Sequence, residues 1–234
     1  MLGAAGAAAL VWCFVKLPET LHPEYRLPIK LGRIAAGFRE TLTNRQAVGY
    51  MLGMMMITGA LFGFINSSQQ IFADTFGRPN VFPIAFAGIA GAIAVASILN
   101  ARLVERMGMR FLSHLALFGF TGMAAVHVLV AATGHEVMWT FIALQAATMF
   151  FFGLVPGNFG AMAMQPLGHI AGTASSVQGL ITTVGGALIG FFIGQQFDGS
   201  TLPMSLGFVV CGLGALVFVL WAEKGKLFRG HDAA

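Results

Sequence analysis

The side chains of this 234-residue chain that could do chemistry are amides, hydroxyls and aromatic rings placed at helical spacing inside long uncharged stretches. Phe62, Asn66 and Gln69 follow at intervals of four and three residues and so share one helix face. Gln145, Thr148 and Phe152 form a second such face and Ser175, Gln178 and Thr182 a third, while Ser67, Ser68 and Gln70 add polarity beside the first. Burying polar groups in a bilayer costs free energy. Three such faces therefore describe the wall of an amphipathic cavity, with apolar and aromatic surface for a lipophilic compound and few polar groups to orient it. The structural alternative is hydrogen bonding between helices, worth about 0.6 to 2 kcal/mol per bond. The hydroxyls of Ser175 and Thr182 can also bond to their own backbone. Met51, Met54, Met55 and Met56 offer either an adaptable ligand surface or flexible core filling.

Covalent and metal chemistry has little to work with. Cys13 and Cys211 lie far apart in apolar sequence, which suggests neither a disulfide nor a metal pair. His22, His135, His169 and His231 are scattered without acids at ligand spacing, so no metal, no cofactor and no enzymatic activity is expected. His114 and His127 stand inside the apolar stretches, where each is read as a neutral imidazole held by a carbonyl or as a proton relay.

The elements that must position these residues are membrane helices. The chain is 57% hydrophobic and 9% charged, far from the roughly 25% charged composition of soluble domains. A spanning helix needs about 20 mostly apolar residues. Six segments qualify, at about 46–68, 81–101, 111–132, 138–158, 171–194 and 203–222, and none contains Asp, Glu, Lys or Arg. Lipid offers the backbone no partners, so these segments must be helical. Residues 1–15 are equally apolar but reach only about 22 Å, and are read as the end of a truncated transmembrane helix. The fold class is an all-α membrane protein of six complete transmembrane helices plus that truncated one. Residues 16–45 form a polar linker in which Ile34, Phe38 and Leu42 recur every four residues, a helix lying on the membrane surface. Residues 46–222 form the bundle and 223–234 a tail.

Twelve of the 13 Lys and Arg residues fall in alternate gaps, with Arg78 the exception. By the positive-inside rule these clusters face the cytoplasm, as does the carboxyl terminus. The net charge of +4 is then a topology signal and a contact to anionic lipid rather than to nucleic acid. Gly186, Gly190 and Gly194 continue a strip of small residues that lets another helix approach closely. Pro156 and Gly157 interrupt the backbone ladder and predict a kink or hinge.

Residues 101–112 hold Ala101, Leu103, Glu105, Arg106, Gly108 and Arg110, followed by Phe111 and Leu112. The run resembles the signature loop of the major facilitator superfamily: a small residue, Leu, an acid, a base, Gly and a further base. An acid there can pair with bases across the cytoplasmic mouth, and Gly108 permits a tight reversal. Ala101 and Glu105 depart from the usual Gly and Asp, as a degenerate second copy would. Leu17, Pro18, Glu19, Thr20 and Leu21 follow the first helix. Asn158 to Ala163 lead into the run Ala171, Gly172, Thr173, Ala174 and Ser175, and Gly185 to Gly190 precede Asp198 to Pro203. This order resembles the carboxyl half of the Bcr/CflA drug-resistance transporters, a proton-coupled multidrug efflux family. The resemblance implies a twelve-helix facilitator fold in two six-helix halves, of which this chain is the second, in the bacterial inner membrane. It also implies drug and proton antiport by alternating access, a conformational-switch loop at Leu103, Glu105, Arg106, Gly108 and Arg110, and an amino-terminal half as partner. Exchange with protons needs an acid within the membrane, and with none in these spans it is expected from that other half. A different facilitator-type metabolite carrier and a non-transporting membrane assembly subunit are the alternatives.

Overall fold

The computed structural model describes residues 2–16 and 31–228. The Leu17–Leu21 motif, His22 and residues 229–234 of the tail, His231 among them, lie outside the described residues. All regular structure among the described residues is helical. Residues 1–35 and 36–234 form separate compact units. In the first, α1 (Leu2–Lys16) carries Leu10, Val11, Trp12, Phe14 and Val15 exposed. Helix α2 (Leu31–Thr43) leads into the second unit, where Gly37 and Thr41 are buried and Leu42 is exposed. Asn44 ends α2 and starts α3 (Arg45–Gln70) by accepting a hydrogen bond from the Ala47 N–H at 3.0 Å.

The bundle continues with α4 (Phe82–Met107), α5 (Met109–Ala132), α6 (Met138–Gly153), α7 (Pro156–Met164), α8 (Ala171–Leu180), α9 (Gly186–Gln195) and α10 (Leu202–Ala222). Gly108 alone separates α4 from α5, at φ +78°, a left-handed conformation that favours glycine. Five continuous helical stretches are long and apolar enough to cross a membrane, where the sequence suggests six segments. The difference lies in residues 159–170, expected to be a gap, which are filled by α7 and a tight 3-10 segment (Gln165–Ile170), so that Met138–Gln195 reads as one stretch of 58 residues. At about 1.5 Å per residue that stretch is far longer than a roughly 30 Å hydrocarbon core.

Contacts with α3 show that it doubles back. Met162 accepts a hydrogen bond from Gln46, and Phe159 packs at Gly53, so α7 runs antiparallel to α3. Gln178 meets Met54, Ile189 meets Gly59 and Gly194 meets Asn66, so α8 and α9 run parallel to it. The reversal falls within Gln165–Ile170, where Leu167 leaves helical geometry. Helix α10 returns antiparallel, with Ala222 at Gly49 and Val219 near Gly53.

Two irregularities interrupt the long helices. The backbone widens to π geometry at Ile71–Thr75 and again at Ile181–Gly185, a device common at functional sites. Between α6 and α7 the ladder breaks at Leu154 and Val155, just before Pro156. There the buried Asn158 amide donates to the Leu154 carbonyl at 2.9 Å and to Asn100 Oδ1 of α4 at 2.7 Å. The core is mainly apolar, with Tyr50, Phe72, Phe120, Phe141, Phe159 and Phe208 among its largest fully buried side chains.

Candidate functional site

Three polar settings stand out in the bundle. The first is a recess of about 420 Å³ between the ends of α3 and α9, lined by Asn66, Gln70, Gln195, Phe191, Phe197 and Gly194. Close packing makes it: a Cβ at Gly190 would collide with the backbone of Phe62 and Gly63, and one at Gly194 would stand 3.1 Å from the Asn66 Cβ. Amides of three helix-end residues and two phenyl rings give it the character of a site for a small amphipathic compound.

Of the nine side chains grouped by spacing, Asn66 lines this recess. Gln69 and Ser175 are exposed, and Phe62 is half-buried where α9 crosses. Gln178 is part-buried, its amide nitrogen 3.9 Å from the Met54 sulfur. Thr182 is buried and donates to the Gln178 carbonyl at 2.8 Å, and Ser175 donates to the Gly172 carbonyl at 3.0 Å, the self-capping open to small hydroxyls. Gln145, Thr148 and Phe152 are buried in α6, which packs on α4 and α5. Thr148 donates to the Leu144 carbonyl at 2.8 Å.

The second setting lies at the end carrying the basic loops. Glu223, just past α10 and 7% exposed at its side chain, accepts a hydrogen bond from the Tyr50 hydroxyl of α3 at 2.6 Å and another from Arg110 Nε of α5 at 2.9 Å. His114 Nε2 is 3.1 Å from the same hydroxyl, and its Nδ1 accepts from the Phe228 N–H at 3.3 Å. His114 is thus held by a hydroxyl and an N–H rather than by a carbonyl. The acid that holds the loop base Arg110 is Glu223, from the far end of the sequence. Glu105 and Arg106 are exposed, and with Leu99, Arg102 and Leu103 they line a shallow recess of about 360 Å³.

The third lies at the opposite end. His127 Nε2 of α5 and Glu136 Oε1, in the turn before α6, are 3.0 Å apart, with side chains 1% and 5% exposed. The contact is off the hydrogen-bonding axis, and neither atom makes a hydrogen bond. Thr201, at the start of α10, donates to the other carboxylate oxygen. Nearby, Ser200 donates to Asp198 through its hydroxyl at 2.7 Å and its N–H at 2.9 Å, holding that exposed carboxyl below the usual carboxylate range. On the surface His169 pairs with Glu40 at 2.7 Å, so one of the scattered histidines does have an acid partner. No group of metal-ligating side chains occurs among the described residues.

Glu136 and Glu223 are the acids that span-by-span reading misses. Both lie outside the apolar segments in sequence, yet their carboxylates are buried among the helix ends. The one available signal was position: each falls within a few residues of a helix terminus, within reach of a side chain that folds back.

No family model matches the chain, and no solved structure matches it. It is 29% identical over 209 residues to "Uncharacterized MFS-type transporter YdgK" of Bacillus subtilis, covering 87% of this chain and 51% of that protein. It is 27% identical over 229 residues to "Bicyclomycin resistance protein homolog" of Haemophilus influenzae, covering 96% of this chain and 56% of that protein. The resemblance carried by the loop at Gly108 and the run at Ala171–Ser175 thus extends along nearly all of the chain, which is a relative of major-facilitator transporters, one of them of the bicyclomycin-resistance type, and spans about half the length of each.

Proposed function

We propose that this chain is the carboxyl half of a secondary active transporter of the bacterial cytoplasmic membrane, exporting small lipophilic or cationic drugs in exchange for protons by alternating access. The observation that carries the proposal is the match along 96% of the chain to a bicyclomycin resistance protein homolog. In this reading the recess at Asn66 is part of the substrate path, and Phe62, Gln69, Ser175, Gln178 and Thr182 extend it along α3 and α8. Gln145, Thr148 and Phe152, buried in α6, set how that helix packs on α4 and α5. A second half of similar size supplies the facing wall. The loop from Leu103 to Arg110 acts as the conformational switch at the basic end, with Arg110 passing between its Glu223 contact and an open state. The smooth contact of Gly186, Gly190 and Gly194 with α3 lets the two helices slide.

The test is co-expression of this chain with the amino-terminal half of the bicyclomycin resistance relative in an efflux-deficient bacterium, followed by accumulation of a fluorescent lipophilic cation. Lowered accumulation, restored by a proton ionophore and by Asn66→Ala, is the expected result. Unchanged accumulation with both halves present in the membrane refutes the proposal.

A further inference from the structure

We propose that His127 and Glu136, with Thr201 as hydroxyl donor, form a proton-binding site that this chain carries itself, reached through a recess at the end away from the basic loops. The two side chains come from different elements and are almost fully buried, with Nε2 and Oε1 3.0 Å apart. Thr201 occupies Oε2, which leaves Oε1 and the ring nitrogen to each other. One proton between them gives an imidazolium facing a carboxylate, two charges that neutralise one another. Without that proton the ring is neutral and the carboxylate keeps an uncompensated negative charge, to which the Thr201 hydroxyl donates, an expensive arrangement for a buried charge. Phe141 packs edge-on against the His127 ring at 5.5 Å, and Phe72 and Phe76 pack on Phe141, so the surroundings supply no substitute.

Access is on one side. Glu136 also lines a recess of about 470 Å³ with Thr75, Arg78 and Trp139, through which a proton can arrive from water and return to it. Only the ring N–H or the carboxyl O–H bond forms and breaks. The other ionisable groups at this end are accounted for. Arg78 shares the recess, and Asp74 is exposed. His135 is bonded to the Thr133 carbonyl, and Asp198 is engaged by Ser200. From α10 come the hydroxyls of Thr201 and Ser205, and the facing turns of α4 and α6 contribute no ionisable side chain. The inference concerns proton binding by this chain and is tested separately from drug export.

The experiment is infrared difference spectroscopy of the full chain in lipid nanodiscs between about pH 5 and pH 9, the range in which histidine chemistry operates. A site that shares one proton gives an imidazole band and a carboxylate band that belong together. The carboxylate band disappears in His127→Gln, and the imidazole band disappears in Glu136→Gln. Two independent groups would each lose only their own band, and that result, or the absence of any such band in the unaltered chain, overturns the proposal. Where either variant fails to fold, by its helical amide band, Thr201→Val decides the matter. A shifted carboxylate frequency with both bands retained supports the site, and an unmoved one overturns it.

Discussion

Replacing Glu223 tests whether one carboxylate ties three helices together. It receives a hydrogen bond from Tyr50, which is fully buried, and one from Arg110, whose side chain is 26% exposed. Hydrogen bonds to a charged group contribute about 1.5 to 3 kcal/mol each. Water at the part-exposed guanidinium compensates part of its share, whereas the buried Tyr50 hydroxyl has no such relief. Glu223→Ala is therefore expected to cost about 3 to 4 kcal/mol, near the range for breaking a buried pair. Glu223→Gln keeps two weaker bonds, one neutral from Tyr50 and one from the Arg110 cation, and costs about 2 kcal/mol. The assay is equilibrium unfolding in mixed micelles, read by Trp221, two residues from the site. Double-mutant cycles with Tyr50→Phe and Arg110→Met should return coupling energies of about 1 to 2 kcal/mol, larger for Tyr50. Additivity within about 0.5 kcal/mol in both cycles would show that the contacts carry no energy and refute the reasoning.

Two further substitutions probe the packing that shapes the recess and the break before α7. Gly190→Leu puts a side chain into the backbone of Phe62 and Gly63, and should destabilise by about 1 to 3 kcal/mol in the same unfolding assay, whereas Gly172→Leu, with nothing within 4 Å, should be close to neutral. Asn158→Leu removes the bonds to Asn100 and Leu154, costing about 1 to 3 kcal/mol, and should speed hydrogen exchange at residues 154–158.

Much of this arrangement was legible because local rules govern it. The absence of fixed charge from the apolar segments marks the long helices, and Gly108 marks the reversal between α4 and α5 because only a residue without Cβ takes φ +78° easily. Ser175 and Thr182 bond to their own helix, the alternative recognised from their short side chains. What failed was tied to distance in sequence. The reversal does fall in the expected gap at residues 159–170, but the gap is filled by α7 and a 3-10 turn in which Leu167 leaves helical geometry, and no local pattern announces that filling. Phe191 and Gln195 meet Asn66 only because Gly190 and Gly194 bring α9 against α3, a contact about 130 residues apart that no local pattern announces. The π segments carry no recognised composition signal at all.

The two buried acids have a consequence for motion. Helix α5 is tied at one end through Arg110 to Glu223 at the end of α10, and at the other through His127 to Glu136, which Thr201 links to the start of α10. Between those ends α5 meets α10 through close-packed surface such as Gly212 against Thr121 and Phe120. Apolar packing resists separation in proportion to area, but it tolerates small shifts along the interface. Charged contacts behave differently: a hydrogen bond weakens steeply once donor and acceptor part beyond about 3.2 Å or the angle falls below about 120°. In the proposed alternating access, rocking of α5 against α10 would strain these ties, and the two acids stand at the two ends of that interface. Opening the Glu223 end costs the energy of its hydrogen-bonded tie, about 3 to 4 kcal/mol. At the His127 and Glu136 end, loss of the proposed shared proton weakens the tie, and at the other end a new partner for Arg110 does the same, so in the proposed transport cycle the chemistry at the two helix ends acts together with the apolar core between them.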